Sequence, residues 1–202
     1  MLRKDMGDGL QRYYMYFHRP ADVRGTAFLV WAHPQADDER WVYMPALDLV
    51  RGIAARDSRA SFVGSDFNYE DISGRDVDAD EHTVLGEESV ADRPAWKVES
   101  RPRGDAGYDR KIIWIDKVTA LPLREEYYGV RNELYRVFTA DEIRDVDSES
   151  GTVPTVVRRT MTNVKSGHRT EVTFIDIAYD AGLTDEVFTE DALRRPPRRW
   201  IR

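Results

Sequence analysis

His18, His33, His82 and His168 are the four histidines of the chain. Their spacing matches neither His-x-x-x-His on a helix nor His-x-His on a strand, so it specifies no metal site. Cysteine is absent, which removes thiolate nucleophiles, disulfides and Cys-ligated metal. Carboxylates are abundant, but neighbours such as Glu87-Glu88 and Glu125-Glu126 point to opposite faces of a strand. They therefore cannot oppose each other across a cleft as a glycosidase acid pair must. Asp66, Glu70 and Asp71 are the acids whose convergence a carboxylate-dependent hydrolase would require. Gly64-Ser65-Asp66 could seat an anion at a helix start, but self-capping is the commoner reason for that sequence. No nucleophile elbow, phosphate loop or dinucleotide fingerprint occurs. The residues call for no catalysis, no metal and no cofactor.

The run Arg194 to Arg202 places five arginines beside Trp200 and Ile201. It could touch anionic headgroups or an acidic partner, or fold back on an acidic body. That body has a net charge of −7 in 202 residues, which argues against a nucleic-acid partner. The longest apolar runs, Ala27–Ala32 and Ile112–Ile115, fall far short of the roughly 20 residues of a membrane helix. With 41% hydrophobic and 33% charged residues, the chain can still build a packed core.

The elements that must position these side chains are mostly strands. Two-residue alternation recurs along the chain, clearest in Gln11–His18, and further strands are expected at Arg40–Met44, His82–Glu88, Ala95–Ser100, Asp109–Asp116, Leu123–Tyr128, Asn132–Thr139, Thr155–Met161 and His168–Tyr179. Thr26–Ala32 is apolar on both faces, and Leu47–Ile53 adds a short strand. Turn-rich links separate them, including Gln35-Ala-Asp-Asp-Glu and Asp147-Ser-Glu-Ser-Gly. The stretch Ser65 to Ile72 predicts about two helical turns capped by Ser65 or Asp66. A second short capped helix is expected at Thr189 to Leu193. These features describe one mainly antiparallel β domain, 1–202. A long sheet with few helices must bury its apolar face against a second sheet, a closed barrel or a lipid-like guest.

Three motifs occur in order: Ala21-Asp-Val-Arg-Gly-Thr-Ala-Phe-Leu29, Trp41-Val-Tyr-Met-Pro-Ala-Leu47 and Ser61-Phe-Val-Gly-Ser-Asp-Phe-Asn-Tyr-Glu-Asp71. With the later stretches Trp114-Ile-Asp-Lys, Leu123-Arg-Glu-Glu-Tyr-Tyr and Met161-Thr-Asn, the chain resembles the outer-membrane lipoprotein-sorting (LolA-like) family of bacterial envelope proteins over nearly its whole length. The resemblance implies a strongly curved, incomplete antiparallel β-barrel, with a few short helices covering an apolar concave side that receives acyl chains. It implies a periplasmic location, a lipid or lipoprotein acyl chain as guest, an RND-type inner-membrane exporter as partner, and no catalytic residues. Family members carry a leader, an opening helix and one or two strands before the stretch matching Leu2-Arg-Lys-Asp5. The expectation is that this sequence starts after them.

On that reading the cavity wall includes Tyr13, Met15 and Phe17, one face of the first alternating strand. Phe28, Val30, Trp41, Tyr43, Phe62, Phe67, Ile113 and Ile115 are further wall or cover residues. The glycine-flanked segment around Phe67 is the expected movable cover. The rival readings are a solidly packed module that docks an envelope transporter, and the carboxylate-dependent hydrolase.

Overall fold

The computed structural model describes residues 1–34 and 36–201, so Gln35 of the expected turn and Arg202 of the basic run lie outside the described residues. The described residues form twelve strands in two antiparallel sheets that are not closed into a barrel, with a few short helices. It divides into two compact units. One comprises residues 1–63, 68–76 and the chain from Gly182 onward; the other comprises Gly64–Phe67 and Val77–Ala181.

The first unit holds a five-stranded meander, β1 (Leu2–Gly7), β2 (Leu10–Tyr16), β3 (Ala27–Ala32), β4 (Glu39–Met44) and β5 (Leu49–Gly52), in sequential order. Its centre is covered on both faces. Tyr13, Tyr14 and Met15 are consecutive and all buried, as are Ala27, Phe28, Leu29 and Val30. A strand buried on both faces reads as a continuous apolar run rather than an alternation, which accounts for the sequence of β3. On one face Tyr14, Ala27 and Leu29 pack against Val187, Phe188, Ala192 and Leu193. These come from a 3₁₀ turn at Asp185–Phe188 and the helix Glu190–Arg194 near the C-terminus. Tyr14 Oη donates to the Ala192 carbonyl at 2.9 Å and Trp31 Nε1 to the Phe188 carbonyl at 2.9 Å. These bonds satisfy the two polar tips that the aromatic bodies carry inward.

The second unit holds a seven-stranded meander: β6 (Asp80–Val90), β7 (Arg93–Pro102), β8 (Arg110–Asp116), β9 (Pro122–Tyr128), β10 (Leu134–Ser148), β11 (Gly151–Asn163) and β12 (Arg169–Thr173). One of its clusters unites Ala95, Ile112, Trp114 and Leu123, with Val90, Tyr128 and Ile143 packed around them. The hairpin from β8 to β9 is organised by Asp116, whose side chain is fully buried. One carboxylate oxygen accepts from the Val118 amide at 3.0 Å; the other accepts from the Thr119 hydroxyl at 2.7 Å and from Arg93 Nε at 2.8 Å.

Three sequence expectations need correction. β1 was not expected: its inward-facing Lys4 breaks the apolar pattern, and it is accommodated by bonds to Asp185 at 2.6 Å and the Leu183 carbonyl at 2.8 Å. The strand expected at His168–Tyr179 ends at Thr173, and Ile175 beyond it is exposed. Conversely, β10 continues past Thr139 to Ser148 through an acid-rich stretch that has no buried residue and pairs only with β11.

Candidate functional site

The candidate wall residues fall into three places. Tyr13 and Met15 of β2 lie opposite Val30 and Phe28 of β3, so all four side chains share one face of the five-stranded sheet. Phe62 and Phe17 complete the same cluster, with Val42, Ile53, Tyr69 and Ile72 packed against it. Six of the eleven candidates are therefore together. Trp41 and Tyr43 are not with them: they pair with Leu29 and Ala27 and pack on the opposite face, where Trp41 meets Trp31 edge-on at 5.0 Å. Strand β4 presents Val42 to the candidate face instead, a one-residue difference that flips the side chain. Phe67, Ile113 and Ile115 belong to the seven-stranded unit. There Phe67 is buried beneath the Arg159 guanidinium at 5.4 Å, whereas Ile113 and Ile115 are half-buried and alternate with the buried Ile112 and Trp114.

The cover over the first face is short. The helix α1 spans only Tyr69–Ser73, and its N-cap is Asn68 rather than Ser65 or Asp66. Asn68 Oδ1 accepts from the Asp71 amide and Asp71 Oδ2 accepts from the Asn68 amide, both at 2.8 Å, a reciprocal capping box. Five residues are too few to form a stable helix in water on their own, so α1 is held by its contacts. Phe28, Phe62 and Tyr69 form a mutual aromatic triangle with ring centroids 5.1–5.4 Å apart, and Phe17 lies 5.9 Å from Phe62. Burial pushes the Tyr69 phenol up, partly opposed by Arg51. At the end of α1, buried Arg40 of β4 donates to Ser73 Oγ at 2.9 Å and to Asp38 at 2.6 Å. Arg40 lies opposite Val30, so it is a cation on the otherwise apolar face. The sequence signal for this clamp was weak, because a lone arginine between Glu39 and Trp41 reads as an exposed edge residue.

The acids that a hydrolase would use are engaged elsewhere. Asp66 accepts from Thr170 Oγ1 at 2.8 Å and lies within hydrogen-bond distance of His168 Nδ1 at 2.7 Å. Glu70 pairs with Arg75 at 2.8 Å, and Asp71 closes the capping box. Asp66 belongs to one compact unit and Glu70 and Asp71 to the other. Among the described residues no group of three or more His, Asp or Glu side chains could hold a metal ion.

A model of a family described as "Uncharacterized protein" matches residues 9–195. Among solved structures, the chain is similar to a putative outer membrane lipoprotein-sorting protein domain from Vibrio parahaemolyticus. The TM-score is 0.89 at 28% identity, over 96% of this chain and 81% of that one. It is 33% identical to a DUF1329 family protein from Desulfovibrio piger, with a TM-score of 0.87 over 95% of this chain and 81% of that one. A LolA superfamily protein from Nitrosomonas europaea shares the fold at 18% identity and a TM-score of 0.59, over 94% of this chain and 86% of that one. No curated protein matches the chain.

Proposed function

Because the chain belongs to the DUF1329 family and has a LolA-like fold, we propose that it is a periplasmic carrier for the acyl chains of a lipid or lipoprotein. The observation carrying this reading is an apolar sheet face, Tyr13, Met15, Phe28 and Val30, roofed by a five-residue helix and Phe62. In the carrier reading Tyr69 and Ile72 occupy the guest's place, and Phe62 moves with them when the cover lifts. A saturated chain entering there gains about 0.8 kcal/mol per CH2 buried, without any specific polar contact. The step is therefore an exchange of one apolar filling for another, and no bond is made or broken. The name of the Vibrio relative supports lipoprotein as cargo, and the family resemblance supports an RND-type exporter as partner.

The test is equilibrium binding of a fluorescent fatty acid to the purified protein, alongside mass spectrometry of lipid extracted from it. The double variant Tyr69→Ala/Ile72→Ala removes roof side chains without touching the sheet, and it should bind several-fold more tightly. A second reading draws on a different feature of the same cluster. Phe28 and Val30 are about 1% exposed or less, so the face is filled by the protein's own side chains, as a solid docking module would be. If neither wild type nor the roof variant binds the probe, the carrier reading fails and the docking module stands.

A further inference from the structure

The C-terminal stretch does fold back, but only in part. Trp200 and Ile201 pack against the Tyr14, Leu29 and Phe188 cluster, and Arg194 donates to the Asp48 carbonyl at 2.8 Å. Arg195, Arg198 and Arg199 remain exposed. Among the described residues they have no ion-pair partner, and Arg199 lies over the Trp200 ring at 4.7 Å. Arg195, Arg198, Arg199 and Trp200 line one open groove of about 660 Å³ together with Thr184 and Thr189, and the acids Glu186 and Asp191 also border it. The Pro196-Pro197 pair and the Trp200 amide, which bonds to the Pro197 carbonyl at 2.8 Å, fix this segment as a turn. The backbone that carries these cations is thus fixed on a protein of net charge −7.

A second feature adjoins them. The Asp48 that Arg194 binds lies between Leu47 and Leu49, which are 69% and 44% exposed. Asp48 has a left-handed backbone, φ 45°, just before the edge strand β5. Exposed leucines and a half-buried indole near exposed arginines form the combination that suits the boundary between headgroups and acyl chains. An acidic peptide would use the arginines but leave the leucines in water.

We propose that the groove of Arg195, Arg198, Arg199 and Trp200, with the Leu47–Leu49 turn beside it, docks the protein reversibly on an anionic phospholipid surface. The arginines hold headgroup phosphates, each bidentate where the fork geometry allows, and Leu47 and Leu49 reach the acyl boundary. A handful of charges with little apolar depth gives weak, salt-sensitive binding, which suits a protein that must leave again. The site needs no acyl-chain cavity and so is independent of the carrier reading.

The experiment is co-sedimentation of the full chain with phosphatidylglycerol-containing vesicles and with phosphatidylcholine vesicles. Wild type should sediment with the former at low salt and be released at high salt. Arg195→Gln/Arg198→Gln/Arg199→Gln should lower vesicle affinity on the order of 100-fold, from about fivefold per arginine at the surface. These side chains are exposed, so fatty-acid binding measured without vesicles should stay at the wild-type value. Leu47→Ser, outside the basic run, should lower affinity several-fold while leaving its salt dependence unchanged. Wild-type sedimentation of both variants would overturn the proposal. So would a wild-type protein that ignores the anionic vesicles but binds soluble polyglutamate, which would mark an acidic protein as the partner.

Discussion

Gly25 and Asp116 show how single residues of the sequence motifs act. Gly25 has φ +83°, and a Cβ added there would meet Pro45 Cγ at 3.3 Å. Two motifs that are separate in sequence, one containing Gly25 and the other Pro45, therefore meet in the fold. Gly25→Ala forces a left-handed Ala costing about 1–2 kcal/mol and adds that contact, so its thermal midpoint should fall by several degrees. Asp116 gives a pH signature. Burial acts to raise its pKa, but the Val118 amide, the Thr119 hydroxyl and Arg93 outweigh it and hold the carboxyl below its ordinary value. A lowered folded-state pKa means that the stabilisation is complete above the unfolded-state pKa and is lost as pH falls through the folded one. Denaturation monitored below about pH 4 should show a steeper stability loss in wild type than in Asp116→Asn, where Glu88, Glu99 and Glu126, also held low, still titrate. At neutral pH the variant should be less stable by about 1–3 kcal/mol. The same slope in both proteins would refute this role.

At the scale of elements, α1 joins sequence to mechanism. Its propensity and length are insufficient alone, so its place over the sheet depends on the Asn68 box, the aromatic triangle and the Arg40 bond to Ser73. Asn68→Ala should cost about 1 kcal/mol and act on the roof before the sheet. Amide exchange should speed up at Gly74, whose amide bonds to the Glu70 carbonyl, while the β2 and β3 amides keep wild-type protection. If β2 and β3 lose protection equally, α1 is an integral part of the core and not a separable cover. That a helix forms before Gly74 was legible in the sequence, but its start at Tyr69, four residues later than expected, and its cap were not. Ser65, Asp66 and Asn68 are all good caps, and only the tertiary bonds of Asp66 to Thr170 and His168 take that residue out of the competition. The assignment of Trp41 and Tyr43 to the candidate face failed for a related reason. Trp41-Val-Tyr-Met is apolar at every position, so alternation cannot say which face is which. The buried cation Arg40 breaks that pattern further.

For the whole molecule, strand order and class were readable because each strand pairs with its sequence neighbour, and short turns impose that pairing. The division into units was not readable, since it depends on contacts between distant segments. The compact unit around β1–β5 is completed by residues from Gly182 onward, more than a hundred positions from the strands they cover. Val187, Phe188 and Leu193 are each at most 3% exposed against Tyr14 and Leu29. Each contributes about 1.5–3 kcal/mol by burial, so together they reach the lower part of the roughly 5–15 kcal/mol that stabilises a whole domain. A chain ending at Ala181 should therefore lose the first unit's fold while the strands β6–β12, continuous within Val77–Ala181, retain theirs. Hydrogen exchange would register this as collapse of protection in β2 and β3 with protection kept in β8 and β9. Restoring the segment as a separate peptide, residues 182–201, should recover β2 and β3 protection. Phe188→Ala in that peptide should prevent the recovery, because the cavity it leaves costs about 3–5 kcal/mol. Full β2 and β3 protection without the peptide would show that the sheet closes its second face by other means.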